Sequence, residues 1–577
     1  MGDYMKFIVG TKLDEELLSP EKISYEYNVD QLNFLERIDP TSEKSNKYWS
    51  NWPILYILRQ AQCVDASKKK IAKKRAHKPF AYIGQTTGGL RRMEEHRKSE
   101  DKQMFTMVNF IYSKEFNQSV TFDYESKLIQ LFSAEGTYAL TNGNSGLQDK
   151  DYYNKEYYDQ GFYALWTQLL DDKIVSKTMN EIRNSDFYKY SPYKSLNAYQ
   201  ELAANAILSA IEAQTKEPIV INGMPGSGKT IIAIYMFKLL RDRCVENHDM
   251  TTKMALVIPQ VSLRTTLKKL FKGIYNLSPS DVIGPSELVK NHYDIVFVDE
   301  AHRLRQRKNI VNHKAHKNNN EVLHLDENAT ELDWVLATVD TPVLFFDADQ
   351  TIGPSGLGES NFYETLESRC HRPLQRFELK TQMRVRAGDT YLTYIKEILD
   401  GKATHKKEVQ NYEFKLVEAY STFNELLNIK ERDTGLARML AGFAWKWISK
   451  KDKQQVDIII DGIGRQWNTT PTDWVNSESS INEIGSIHCI QGYDLNYGFV
   501  ILGPDIKYDV EKKCIYADKN KYFDVNGKKS ATPEELTQYI KNIYYVLMTR
   551  GIKGTYLYVC DDDLKTYLKK YVYVDVI

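Results

Sequence analysis

From residue 193 onward, short apolar runs alternate with stretches of helical period. The runs are PIVIN (218–222), MALVI (254–258), DIVFVD (294–299), PVLFFD (342–347), VDIIID (456–461), GFVILG (498–503) and GTYLYV (554–559). Runs this short and continuous predict buried strands, and their alternation with helices predicts parallel sheets covered on both faces. The span is long enough for two such α/β domains in tandem, over 193–372 and 373–577. Upstream the pattern changes. Residues 1–48 form a mixed, acidic extension, and 49–150 open on the strand-like PILYIL and close on a Gly/Asn-rich stretch. Residues 151–192, rich in Tyr and Asp, predict a helical connector ending at Pro192.

Composition narrows the class without naming a function. Charged residues make up 27% and apolar residues 42%, the balance of a folded soluble chain. Lys+Arg and Asp+Glu both number 77, so a basic chain as a whole is excluded as the basis of polyanion binding. Local basic grooves are not excluded. No apolar stretch is long enough for a membrane span, and the first residues lack the pattern of a secretory signal. The six cysteines are scattered singly, which speaks against thiolate zinc sites and disulfides and predicts a reducing cytoplasm.

Gly223-Met224-Pro225-Gly226-Ser227-Gly228-Lys229-Thr230 fits the phosphate-binding pattern G-x-x-x-x-G-K-[ST]. An apolar strand precedes it and a helix-competent run follows. Glycines let backbone N–H groups converge on phosphate oxygens at a helix N-terminus. Lys229 is expected to reach the outer phosphates of ATP, and the Thr230 hydroxyl to ligate Mg²⁺. Downstream, an apolar strand ends in Asp299-Glu300-Ala301-His302. Asp299 is expected on Mg²⁺, and Glu300 to polarise the water that attacks the γ-phosphate.

These motifs, followed by Asp347-Ala348-Asp349-Gln350, resemble the first motor domain of a superfamily 1 helicase of the Schlafen type. The resemblance extends across about residues 193 to 577 and implies two RecA-like motor domains. It implies an adenine-reading role for Gln200, with Tyr199 near the base, and a nucleotide-binding role for Gln350. Gln382-Met383-Arg384 is similar to the arginine motif that opens the second domain. His488-Cys489-Ile490-Gln491-Gly492 is similar to the family's Gln-Gly motif. Thr549-Arg550 is similar to the last motif, whose arginine meets the γ-phosphate across the cleft.

Two tyrosines sit on predicted strands, Tyr56 in PILYIL and Tyr82 in FAYIG. Arg92 and His96 follow, four apart and therefore on one helix face. Glu125 falls in a helix expected to start near Asp123, which would put an acid in its first turn. This series resembles a small α/β GIY-YIG endonuclease domain over about residues 50 to 150. The resemblance assigns Tyr56 and Tyr82 to proton relay and Arg92 to charge neutralisation. It assigns Glu125 to one Mg²⁺ or Mn²⁺, and Asn142 to support. The usual first-motif glycine is missing, and an insertion separates the tyrosines. Within it, residues 68–78 carry seven Lys or Arg among eleven, a candidate phosphate-contacting loop.

His313, His316 and His324 lie in a polar segment expected to be a solvated loop, and the tyrosines at 152, 153, 157 and 158 are expected to pack a helix face. The resulting expectation is a nuclease head on a two-lobed ATP-driven motor that acts on nucleic acid, DNA before RNA, in DNA processing or antiviral defence. It includes no membrane, and either a homo-oligomer or a defence-system partner protein. The alternative is a nucleic-acid-sensing ATPase switch that gates the nuclease or a partner without unwinding.

Overall fold

Eight consecutive residues, Leu495–Leu502, are all buried, as expected for a strand covered on both faces. Successive side chains leave such a strand on opposite sides. Phe499 and Ile501 accordingly join a cluster with Met439 and Phe423, whereas Val500 and Leu502 join one with Leu440 and Leu557. Each fully buried side chain of this kind contributes about 1.5–3 kcal/mol. The helices that cover the two faces are therefore held by the sheet's own alternation.

The computed structural model describes residues 8–9, 24–26, 51–60, 78–113, 115–142, 151–193, 196–214, 216–249, 251–308, 312–369, 374–379, 388–470, 473–490, 493–529 and 531–575. The chain divides into two units. One takes in the described residues up to Leu196 with Lys238–His248 and Lys269–Pro279, and the other takes in Asn197–Phe237, Asp249–Lys268 and the chain from Ser280.

In the first unit, β1 (Ile8–Val9), β2 (Ser24–Glu26), β3 (Ile54–Arg59), β4 (Phe80–Thr86), β5 (Met107–Tyr112) and β6 (Ala139–Leu140) form one sheet. Its order is β1-β5-β3-β4-β6, with β2 also on β5. The β3–β4 and β3–β5 pairs are antiparallel, so the acidic extension adds two short strands to the tyrosine-bearing sheet. Helices Gly89–Lys98 and Gln118–Glu135 follow β4 and β5. The stretch expected as a connector holds helices Lys155–Asp171, Met179–Arg183 and Asp186–Lys189. Its Phe162 and Trp166 pack edge-on against Tyr124 and Phe132 of Gln118–Glu135, making it part of this unit's core.

The second unit has two lobes. Strands β7 (Ile219–Gly223), β8 (Met254–Val257), β9 (Val282–Ile283), β10 (Tyr293–Val298), β11 (Val339–Phe346) and β12 (Gln375–Leu379) make a sheet ordered β12-β7-β11-β10-β8-β9, parallel throughout. The second lobe contains β13 (Glu413–Leu416), β14 (Ala437–Ala441), β15 (Ile458–Ile460), β16 (Ile463–Trp467), β17 (Glu483–Gly485) and β18 (Leu495–Leu502). After the separate hairpin β19 (Ile506–Asp509) and β20 (Cys514–Ala517), β21 (Gly551–Val559) and β22 (Tyr573–Val574) complete it. The order is β15-β16-β17-β14-β18-β21-β13-β22, parallel from β16 onward.

Three local expectations are corrected. VDIIID is an antiparallel edge strand rather than a buried parallel one, and Ile459 is 61% exposed. Asp461 and Gly462 both have positive φ (49° and 80°), the two-residue turn that closes a tight hairpin. The helix expected from Asp123 begins five residues earlier, because Asn117 caps it by accepting from Val120 N. Glu125 therefore lies well inside the helix rather than in its first turn. The histidine segment holds a helix, His313–Val322, that buries His316 against Trp334 at 4.7 Å between ring centroids. Among the described residues no helix is long and apolar enough to cross a membrane.

Candidate functional site

In the first unit, antiparallel register sets Tyr56 opposite Gly84 and Leu58 opposite Tyr82. The Tyr56 ring lies over Gly84, where a Cβ would fall 2.3 Å from the phenol oxygen, so only glycine fits. The Tyr56 hydroxyl is 2.8 Å from His96 Nε2, and Arg92 Nε donates to it at 3.4 Å. Tyr82 packs its ring on His96 at 5.5 Å and carries Lys102 Nζ 3.8 Å from its centroid. Asn142 braces the strand between: its Nδ2 donates to Ile83 O at 2.8 Å and its Oδ1 accepts from Ile83 N at 3.1 Å.

Burial, reinforced by Arg92 and Lys102, pushes His96 down to about 4, so it is neutral near pH 7 and can accept a hydrogen bond from the Tyr56 hydroxyl. Burial and the neighbouring Tyr82 raise Tyr56, outweighing Arg92. Burial pushes Glu125 up to about 7, against the opposing pull of the Gln85 backbone and Arg92. Among the described residues no three His, Cys, Asp or Glu side chains gather as a metal cage. The donor set is one half-buried carboxylate, which suits a hard cation that keeps most of its waters.

In the second unit, β7 runs into a turn in which Gly226 and Gly228 have φ of 83° and 85°, conformations that favour glycine. Pro225 and Ser227 are buried, and a Cβ on Gly223 would meet Ser227 Oγ at 2.5 Å. Helix Lys229–Glu246 follows. Gln200 caps its own helix, accepting from Asn197 N at 3.1 Å, and donates to Ser227 O at 3.0 Å. Its amide thus braces the phosphate loop, while Tyr199 is 48% exposed.

Lys229 Nζ donates to Met224 O at 3.1 Å and to Asp347 Oδ2 at 3.0 Å. Thr230 Oγ1 donates to Asp299 Oδ2 at 2.7 Å, whereas the buried Asp299 Oδ1 and Ser227 Oγ have no hydrogen-bond partner. The Thr230 hydroxyl and the Asp299 carboxylate, with one oxygen unpartnered, are a donor set that fits Mg²⁺. Burial, then Glu300, pushes Asp299 up to about 7. Glu300 sits at φ 51°, a strained setting for a non-glycine. Its side chain is 2.9 Å from His302 Nε2 and 3.9 Å from Arg303 Nε, and these neighbours outweigh burial and hold it low.

From Asp347 the contacts continue. Gln350 Nε2 donates to Asp347 Oδ2 at 2.7 Å, and Arg550 Nη2, from the second lobe, donates to Gln350 Oε1 at 3.1 Å. A chain of side chains therefore joins Lys229 to Arg550 through Asp347 and Gln350. Asp347 had no assigned role in the sequence, although an acid after a strand parallel to the one before Asp299 was a readable signal. Arg384, Gln491 and Gly492 lie outside the described residues.

The sequence profile of the family described as Schlafen group 3, DNA/RNA helicase domain, matches residues 216–561. This chain belongs to that family. YPL245W, an uncharacterized protein of Saccharomyces cerevisiae, is 27% identical over 444 residues, covering 68% of this chain and 92% of the yeast protein. Among solved structures, Mss116p bound to ssRNA and AMP-PNP aligns at 12% identity over 70% of this chain and 76% of that one, with a TM-score of 0.33. Pif1 helicase from Candida albicans aligns at 11% identity over 63% and 94%, with a TM-score of 0.26.

The Schlafen group 3 helicase domain accounts for the P-loop ATPase motor in the second unit. The profile begins at residue 216, so the tyrosine cluster stands outside it. Further contacts tie the Schlafen lobes together. Lys396 Nζ bonds both Asp349 oxygens at 2.7 and 2.9 Å, Asn542 Nδ2 donates to Thr351 O at 2.9 Å, and Gln260 Nε2 donates to His488 O at 3.1 Å.

Proposed function

We propose that this chain is an ATP-driven nucleic-acid translocase or helicase fused to a metal-dependent GIY-YIG-like endonuclease, acting on DNA in DNA processing or antiviral defence. The observation that carries the motor half is the Lys229–Asp347–Gln350–Arg550 chain across the two lobes. Hydrolysis does mechanical work only when the lost γ-phosphate is sensed by a separate body. Arg550 belongs to the second lobe and ends beside the residues that bracket the phosphate loop. ATP would bind the loop with Lys229 on its outer phosphates, Mg²⁺ on Thr230 and Asp299, and Glu300 aligned to activate water.

The nuclease half is supported by the convergence of Tyr56, Tyr82, Arg92, His96 and Glu125, which come from two strands and two helices. Neutral His96 can hold the Tyr56 hydroxyl by a hydrogen bond and orient it on the attacking water, Arg92 can meet the developing phosphorane charge, and a cation on Glu125 would serve the leaving oxygen. The test incubates the full chain with labelled single-stranded, duplex and branched DNA and RNA, with and without ATP, under Mg²⁺ and Mn²⁺. Cutting that requires a divalent cation, with ATP turnover stimulated by strands, supports the reading. Turnover without any cutting would remove the nuclease, and strand-indifferent turnover would remove the motor.

A further inference from the structure

The turn after β14 exposes aromatic and aliphatic surface beside a cluster of cations. Trp447 is 39% exposed and Ile448 48%, and Lys446, Lys450, Lys451 and Lys453 around them are all exposed. Over residues 446–453 only Asp452 opposes these four cations, in a chain whose total charge is zero.

The turn is rigid. The buried Asp457 carboxylate accepts from the backbone N–H groups of Ile448 at 2.6 Å, Ser449 at 2.7 Å and Trp467 at 2.8 Å. Trp447 Nε1 donates to Ser449 Oγ at 3.1 Å, which fixes the indole's orientation. Lys450 Nζ stands 5.2 Å from the indole centroid, and Lys446 Nζ stands 5.8 Å from that of Phe523.

Its place in the sheet also matters. Ligands of parallel α/β sheets gather beyond the carboxyl ends of the strands, and this turn leaves the carboxyl end of β14. β17 pairs directly with β14, and the segment after it holds His488, 5.4 Å from Phe443 at the root of the same turn.

We infer that the Trp447 turn is a stacking platform for single-stranded nucleic acid, with the indole under a base and Lys446, Lys450 and Lys451 on the flanking phosphates. Base–aromatic stacking tolerates any sequence because every base has a π-face, and the lysines add salt-dependent affinity for the backbone. A fixed indole loses little freedom when a base lands on it. The clustering of cations selects a polyanion over an apolar protein partner. This inference rests on the strand-handling reading of the motor and names the surface that would carry the strand.

The test titrates the full chain against a fluorescein-labelled 20-nucleotide oligo(dT), and separately oligo(U), by anisotropy at several salt concentrations. Trp447→Ala is expected to weaken binding about ten-fold, and Trp447→Phe to stay within about three-fold of wild type. Lys450→Ala/Lys451→Ala is expected to flatten the slope of log affinity against log salt by about 1.4, two phosphates' worth on a single strand. Circular dichroism and melting establish that each variant is folded. If Trp447→Ala does not fold, the Lys pair decides by its slope. Wild-type binding with unaltered affinity in Trp447→Ala, or an unaltered slope in the Lys pair, overturns the platform alone. A wild type that binds neither oligonucleotide overturns the strand-handling reading together with the platform.

Discussion

Arg550 Nη2 donates to Gln350 Oε1 at 3.1 Å, and the two residues belong to different lobes of the motor. Arg550 is 1% exposed and Gln350 3%, so the contact lies inside the seam. Gln350 in turn holds the Asp347 carboxylate that also receives Lys229. A change at the phosphate loop therefore has a short route to the second lobe, and every link is a charged or polar group.

Arg550→Ala is predicted to lower ATP turnover by about 10³-fold, the usual scale for an arginine that stabilises a phosphoryl transition state. Arg550→Lys should recover little, because an ammonium lacks the planar fork of donors. Steady-state ATPase assays on folded variants check this. Turnover within a few-fold of wild type in Arg550→Ala would contradict it.

Lys229→Ala is predicted to lower turnover by more than about 100-fold while the chain remains folded. Asp347 keeps Gln350 as a partner, so the cost in stability is expected to be about 1–3 kcal/mol. Turnover and urea unfolding on the same preparation separate the two effects.

Glu125→Ala is predicted to abolish cation-dependent cutting and leave ATP turnover as in the wild type. Tyr56→Phe should also lose cutting, since it removes the hydroxyl shared by His96 and Arg92 without disturbing the ring over Gly84. Persistent cutting by both variants would remove this site from the reaction.

Asp505 gives a pH prediction remote from either site. It is fully buried, its Oδ1 accepts from Tyr544, and burial pushes it up to about 7. A carboxyl raised on folding holds its proton more tightly in the native state. Stability is therefore lost as pH rises from the ordinary carboxylate range through about 7. Asp505→Asn removes that slope and is predicted to be more stable than wild type by about 2–4 kcal/mol at pH 8, with a smaller margin at pH 5. Urea unfolding at the two pH values reads the difference, and a margin independent of pH would contradict it.

Periodicity made the motor legible. PIVIN, MALVI, DIVFVD, PVLFFD, GFVILG and GTYLYV all became parallel strands, because burial on both faces demands continuous apolar runs. VDIIID misled for the same reason. A run of isoleucines also suits an edge hairpin, and the Asp461-Gly462 turn signal lay just past it. At the sites, spacing revealed residues that share an element, such as Arg92 with His96. It could not reveal Asp347 as the shared partner of Lys229 and Gln350, because that role depends on two strands lying side by side. The buried His316 was hidden likewise, since its partner Trp334 belongs to the next helix.

The most direct test of the account measures ATP turnover against the length of added single-stranded DNA, in wild type and in Arg550→Ala. The account predicts wild-type turnover that rises with strand length to a plateau, and a variant with neither turnover nor stimulation. Wild-type turnover indifferent to the presence and length of the strand would contradict it.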